Sequence, residues 1–275
     1  MYKSEAMEKL KEYEKEMRAD ELSEGTIKKY LHDIKQWLDF QDEYINQELM
    51  IAYKQMLIQN YSASSVNSKL IAVNRYLRWI GHKELTVKTK RMQSKTSIEN
   101  MINKAEYNRM LDFAKRTNRT KMYYIMKTIA LTGIRVGELK YITVSALKVG
   151  MAEVYNKGKY RNIYISHNLA AELLNYCDEN AIETGIIFYG NKRSKCISNV
   201  GVWKNMKFIA GKVDVPLEKV YPHSLRHLFA RTYMEKIGDV TELSDLLGHS
   251  RLETTWIYTK TTSDEKRKRL EKLDL

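Results

Sequence analysis

The chain has 275 residues, of which 12 are glycine and 2 proline, enough for two domains of ordinary size with few residues that interrupt helices. Its net charge is +13 at pH 7, an excess that favours a polyanionic partner, DNA or RNA first, over a merely solvated lysine-rich surface. No run of about 18 apolar residues suits a bilayer, the opening lacks the basic-then-apolar order of a secretory signal, and Cys177 and Cys196 form neither a disulfide framework nor a metal-binding spacing. A cytoplasmic, mainly helical protein with no membrane contact is expected.

Residues 1–80 read as four helices. The first, near Glu5–Arg18, is dense in charge. Ser23 is placed as N-cap of a second, running to about Phe40 with Ile27, Leu31, Ile34 and Leu38 at three- and four-residue steps. A third is expected from about Asn46 to Asn60, and Ser62 or Ser64 caps a fourth whose apolar face is Val66, Leu70, Val73 and Leu77. Lys69, Arg75 and Arg78 lie off that face; with Lys28 they are candidates for phosphate contact, against the plainer reading of a solvated surface. From Gly81 the chain loses its periodicity, and residues 81–98, polar and basic, read as a linker. Two basic blocks joined by a basic strap can close around a duplex.

The second block, 99–275, opens with helices near Lys104–Arg116 and Lys121–Leu131, followed by Gly133 and a short helix over Val136–Leu139. Three strands, Ala146–Val149, Ala152–Tyr155 and Tyr160–Ile165, are separated by Val-Gly and Asn-Lys-Gly-Lys turn chemistry, which predicts a small antiparallel sheet. Helices resume near His167–Glu183, Ser198–Ala210, His223–Lys236, Thr241–Leu247 and Leu252–Tyr258, and a highly charged short helix is expected over 264–272.

Unusual polar residues sit in five places. Arg135 and Glu138 follow Gly133; Lys157 and Lys159 occupy a hairpin tip with Arg161 behind it; His223 and Arg226 share a helical face; His249 follows a helix end; and Tyr258 closes a short helix. Each piece alone has an ordinary explanation, such as a surface cation, a hydrogen-bonded structural histidine, or a core tyrosine with its hydroxyl at the surface. Together they meet the needs of phosphoryl transfer, where the protein chiefly positions and neutralises a phosphate. Two guanidiniums make forked contacts to phosphate without losing charge. A tyrosine, with a pKa of about 10, needs a base or a cationic field before it attacks phosphorus. A lysine on a hairpin can protonate the departing sugar oxygen.

These segments resemble the boxes of the tyrosine recombinase, or phage integrase, family: TGIRVGEL around Arg135, HSLRH around Arg226, and LGHS with TTWIYT running from His249 to Tyr258. The N-terminal stretch with Leu22, Ser23, Thr26, Tyr30 and Asp33 is similar to the family's core-binding domain. The resemblance implies a mainly α fold with a small antiparallel β-sheet: an N-terminal helical, SAM-like, core-binding domain over 1–80, the linker 81–98, and a C-terminal α+β catalytic domain over 99–275. It implies a site-specific recombinase acting without metal or nucleotide cofactor, through a 3′-phosphotyrosine and a Holliday junction.

In the roles it implies, Arg135 and Arg226 clamp the phosphate, His223 assists proton removal, and His249 hydrogen-bonds the phosphate. Lys157 is the general acid and Tyr258 the nucleophile. The hairpin is one residue shorter than the family's usual pattern, so Lys159 stays open as the general acid. Glu138 orients Arg135 or supports its helix. DNA contacts fall to Lys28, Lys69, Arg75, Arg78, Lys159 and Arg161. The implied partners are double-stranded DNA with a specific core site and a homotetramer on it, with accessory DNA-bending proteins left open. The tail over 266–272 is the candidate for docking on a neighbouring subunit. Two rivals remain: a non-enzymatic DNA-binding relative, and a metal-dependent hydrolase built on His223, His227 and His249.

Overall fold

Separate hydrophobic clusters divide the chain into two units, Met1–Ser94 and Lys95–Leu275. The structure, a computed structural model, describes residues 1–90, 101–156, 159–192, 194–249 and 252–259 with Arg267 and Glu271, and only the backbone at Asn156, Lys159, Glu253 and Thr259. Among the described residues no helix is long and apolar enough to cross a membrane.

The first unit is helical. The expected charged opening helix is two, α1 (Lys3–Glu8) and α2 (Leu10–Ala19), meeting at Lys9. α3 (Glu24–Phe40), α4 (Gln47–Asn60) and α5 (Ala63–Trp79) start where capping side chains satisfy free backbone donors: Ser23 accepts from the Thr26 N–H, Asn46 from Leu49 and Ser62, rather than Ser64, from Ser65. Their apolar faces enclose Tyr13, Trp37, Tyr53 and Tyr76, all fully buried. One carboxylate is buried with them. Asp33 is 3 % exposed and pairs with Lys29 at 2.9 Å and Lys69 at 3.0 Å.

The first part of the expected linker is held against this unit. Leu85 and Val87 belong to its core. Asn74 of α5 donates to the Val87 carbonyl at 2.7 Å and accepts from its N–H at 3.0 Å. One helical face along, Asn67 does the same to Lys90, at 2.9 and 2.8 Å. Two side-chain amides thus act as a substitute strand edge for an extended segment. Residues 91–98 of the expected linker lie outside the described residues.

The second unit packs α6 (Lys104–Arg116) and α7 (Thr120–Thr132) with α10 (Asn199–Gly211) and α11 (Ser224–Lys236) around a core that includes Ile125, Ile129, Leu139, Phe188 and Ile209. The expected strand over Ala146–Val149 is instead a helix, α8 (Val144–Val149). Thr143 caps it by accepting from the Ala146 N–H, and Gly150, at φ +77°, ends it in the left-handed conformation. Aliphatic composition alone did not distinguish one helical turn from a strand.

The sheet therefore has two strands, β1 (Met151–Asn156) and β2 (Lys159–Tyr164), antiparallel, with Tyr155 opposite Tyr160 and Val154 opposite Arg161. Alternation sends Ala152, Val154 and Ile163 inward and Tyr155, Tyr160 and Tyr164 outward. α9 (His167–Glu179) follows. α12 (Val240–Leu247) ends at Gly248, α13 covers Leu252–Trp256, and a 3₁₀ turn, Ile257–Thr259, carries Tyr258. Of the expected tail helix over 264–272, only Arg267 and Glu271 are described.

Candidate active site

Arg135 is set by the turn that ends α7. Gly133 there has φ +65°, and a Cβ would stand 2.4 Å from the Phe229 ring, so the close turn requires glycine. Its carbonyl accepts from Arg226 Nη1 at 2.8 Å. The 3₁₀ turn Val136–Tyr141 then brings Glu138 back under Arg135, whose backbone N–H and Nη1 both donate to the carboxylate, at 2.7 and 2.9 Å. About a third of the Arg135 side chain, 34 %, stays exposed.

Arg226, in the first turn of α11, is 3 % exposed. Its Nη2 donates to the Leu247 carbonyl at 2.6 Å and to His249 Nε2 at 3.1 Å. The carbonyls it holds, Gly133 and Leu247, lie at the C-terminal ends of α7 and α12, where helix dipoles are negative. Burial, with Arg135 and Arg161 nearby, lowers its pKa to about 10, so the charge persists at neutral pH.

Gly248, at φ +62°, turns the chain from α12 to His249. A guanidinium can only donate, so His249 Nε2 accepts; Nδ1 carries the proton and donates to Thr255 Oγ1 at 2.7 Å. Burial and then the charge of Arg226 push the pKa of His249 down to about 4, leaving it neutral. Tyr258, 6 % exposed, lies with its ring 5.3 Å from His227 and 6.3 Å from His249, nearly parallel to the latter. Burial raises its pKa, while the charges of Arg226 and Arg135 and a hydrogen bond from Arg226 pull the other way. His223 precedes α11 with its ring 6.5 Å from His227, and burial, Arg226 and Arg135 keep its pKa below 6.5.

Two clefts share Arg135 and Glu138 as a wall. The larger, about 1290 Å³, is lined also by Tyr160, Arg161 and His249; the smaller, about 340 Å³, by Tyr141, Tyr155 and His223. Five of the six residues expected in catalysis thus gather around one point, and the sixth, Lys157, lies outside the described residues. Two guanidiniums beside a phenol and two depressed imidazoles suit an anion, and the forked geometry suits a phosphodiester. Among the described residues no group of three His, Cys, Asp or Glu side chains could hold one metal ion, and His249 Nε2, which the hydrolase rival needs as a ligand, faces a guanidinium.

The sequence from 100 to 265 matches the family model described as "Phage integrase family", and residues 10–84 match its "N-terminal SAM-like domain". The chain belongs to the phage integrase family. Among its relatives, the tyrosine recombinase XerA of Thermococcus kodakarensis is 27 % identical over 279 residues, covering 99 % of this chain and 97 % of that protein. A crystal structure of XerA recombinase is 25 % identical with a TM-score of 0.53, covering 97 % of this chain and 98 % of the other. A lambda integrase tetramer bound to a Holliday junction is 20 % identical with a TM-score of 0.73 over 90 % of this chain and 75 % of that one, a likeness of fold.

Within this phage integrase frame, some expected DNA contacts are otherwise engaged. Arg161 is not free for phosphate: its side chain is 11 % exposed, its Nη2 donates to Glu138 and its Nη1 donates to the Leu246 carbonyl at 2.6 Å. It ties the base of the hairpin to the Arg135 turn and to the end of α12. The signal was available, since alternation along β2 puts Arg161 on the same inward face as Ile163. Lys69, 12 % exposed, holds Asp33 and Gln36, and Arg75 pairs with Asp20 at 2.6 Å. Lys28 and Arg78 are exposed. For Lys159 only the backbone is described. Two further residues join the site: Thr255, which sequence reasoning did not single out, and His227, which it raised only as a metal ligand of the hydrolase rival. Thr255 fixes the His249 tautomer, and its role depends on a contact six residues away through a turn. His227, pushed down to about 4 by burial and by His223 and Arg226, packs on Tyr258.

Proposed function

We propose that this member of the phage integrase family is a site-specific DNA recombinase whose nucleophile is Tyr258. The Tyr258 oxygen attacks the scissile phosphorus, giving up its proton with assistance from His223. The bond to the 5′ oxygen breaks, and Lys157 protonates that leaving oxygen. The phosphate is thereby held as a 3′-phosphotyrosine ester. Attack by the 5′ hydroxyl of another strand reverses these events, so bond energy is conserved and the scheme needs no nucleotide hydrolysis. Arg135 and Arg226 neutralise the charge that builds on the non-bridging oxygens.

The observation that carries this reading is the meeting of Tyr258, His249 and Arg226, from three separate sequence segments, around one buried guanidinium. Once Arg226 turns to the phosphate, His249 takes the other tautomer, with Nε2–H donating to the phosphate and Nδ1 accepting from the Thr255 hydroxyl. Assembly as a tetramer on a duplex core site, as in the lambda integrase complex with a Holliday junction, completes the reaction, with bending proteins as auxiliaries.

The test uses duplexes of randomised core sequence carrying a nick next to each candidate phosphate, so that the short product diffuses away and the covalent complex accumulates. Peptide mapping of detergent-resistant complexes is expected to find nucleotide on Tyr258, and none in Tyr258→Phe. Nucleotide attached to any other residue, or complexes that survive that substitution, would overturn the assignment. Binding without covalent complexes would favour a non-enzymatic DNA-binding relative.

A further inference from the structure

The outward face of the hairpin is aromatic where an exposed strand face would ordinarily be polar. Tyr155 and Tyr160 are directly opposite each other across β1 and β2, with ring centroids 4.6 Å apart and planes 40° apart. They are 54 % and 78 % exposed. No other pair of tyrosines on this unit combines that closeness with that exposure among the described residues. Cross-strand aromatic contact supports a two-stranded ribbon, which accounts for the pairing; it leaves the outer ring faces unused.

Position gives those faces a use. Tyr160 lines the larger cleft and Tyr155 the smaller, so the pair straddles the wall formed by Arg135 and Glu138. Both rings therefore stand beside the place assigned to the phosphate. Tyr141, in the smaller cleft, anchors the ribbon by donating from its hydroxyl to the Tyr155 carbonyl at 3.2 Å, and Lys140 lies over the Tyr141 ring. A flat aromatic surface in a cationic site next to a phosphate has one natural occupant in DNA, a nucleobase. A base stacked in a duplex presents only its edges, so the occupant must be unpaired.

We propose that Tyr155 and Tyr160 form a stacking platform for unpaired bases next to the scissile phosphate, giving this protein a preference for locally single-stranded DNA over continuous duplex. The idea rests on the recombinase reading for its biological setting, since a cut strand must leave its complement before it can join another. The binding itself needs no covalent step. The platform holds the bases of the departing strand after cleavage and delays re-pairing with the original complement.

The test is equilibrium binding of the full chain to two probes of identical mixed sequence, an intact duplex and a duplex with a short single-stranded gap containing 2-aminopurine. Fluorescence anisotropy gives affinity, and quenching of 2-aminopurine reports stacking directly. The wild-type protein is expected to bind the gapped probe on the order of tenfold more tightly for each base stacked and to quench it. Tyr155→Phe with Tyr160→Phe keeps both effects. Tyr155→Val with Tyr160→Thr, which retains residues suited to strands but removes both rings, loses them, while affinity for intact duplex stays within about twofold because phosphate contacts supply non-specific binding. A matching thermal midpoint checks that the ribbon survives, and Tyr160→Thr alone gives a partial loss if the double variant does not fold.

Equal wild-type affinity for both probes, or quenching that persists without the rings, overturns the proposal. Because the assay reads no cleavage, failure to find a phosphotyrosine would count against the recombinase reading and leave this result standing by itself.

Discussion

Glu138→Gln separates the electrostatic role of Glu138 from its shape. The carboxylate is 4 % exposed and receives three donors, two from Arg135 and one from Arg161. Glutamine keeps the volume but has one acceptor oxygen, and its NH₂ group must face one of the guanidiniums. Breaking a buried pair costs about 3–5 kcal/mol. The Arg135 half is a third exposed, so screening limits it to about 1 kcal/mol or less. The Arg161 half, at 11 % side-chain exposure, dominates. A net loss of about 3 kcal/mol is expected, which for a unit of this size lowers its midpoint by roughly 6–12 °C.

The pH dependence has a definite sign. Burial raises the Glu138 pKa, but the Arg135 N–H and the charges of Arg161 and Arg135 outweigh it and leave the value below 4.5. The group therefore stabilises fully above its unfolded pKa of about 4.3, and the contribution is lost as pH falls through the lower folded value. Near-UV circular dichroism melts between pH 7 and pH 3 will show a steep acid limb for wild type and a flatter one for Glu138→Gln. Covalent complex formation will fall, while non-specific DNA affinity holds or rises because the variant is one charge more positive. A midpoint within about 2 °C of wild type, with the same acid limb, would refute the reasoning.

Gly248→Ala forces a left-handed alanine, worth about 1–2 kcal/mol, and sets its Cβ 2.3 Å from Arg161 Cδ; loss of covalent complexes exceeding the loss of stability is expected, and nuclear magnetic resonance of the His249 ring will show the displaced loop. His227 and His249, both held at about 4, bind fewer protons folded than unfolded, so stability present above about pH 6.5 is lost as pH falls towards 4; His227→Gln should shrink that loss in calorimetry. Lys69→Met will destabilise the first unit by leaving the buried Asp33 with Lys29 as its remaining ion-pair partner, yet leave the salt dependence of DNA binding unchanged. Arg78→Met will do the reverse, reducing the slope of log affinity against log salt by about 1.

Much of this was legible in the sequence because it is local. Ser23 and Asn46 mark helix starts by their own chemistry, and the apolar stripes of α3 and α5 appear at the expected spacing. The misread strand over 146–149 shows the limit, since six residues hold too few periods to separate helix from strand, and Thr143 and Gly150 decide the matter. The candidate catalytic residues stand out as separate boxes, yet nothing in their spacing says that Arg226 is held by the carbonyls of Gly133 and Leu247. The partners of Arg161 and Lys69 were not legible, for one reason. Their anions, Glu138 and Asp33, are 23 and 36 residues away, so an inward-facing cation looked like a surface one.

The enclosure of Tyr258 by Arg226, His227 and His249 of its own chain has a consequence for mixed assemblies. With Tyr258 as the proposed nucleophile, each copy would cut with its own hydroxyl and borrow none from a neighbour. Mixing Tyr258→Phe chains with Arg226→Met chains therefore offers no route to complementation, since every copy in the mixture lacks one half of its own apparatus.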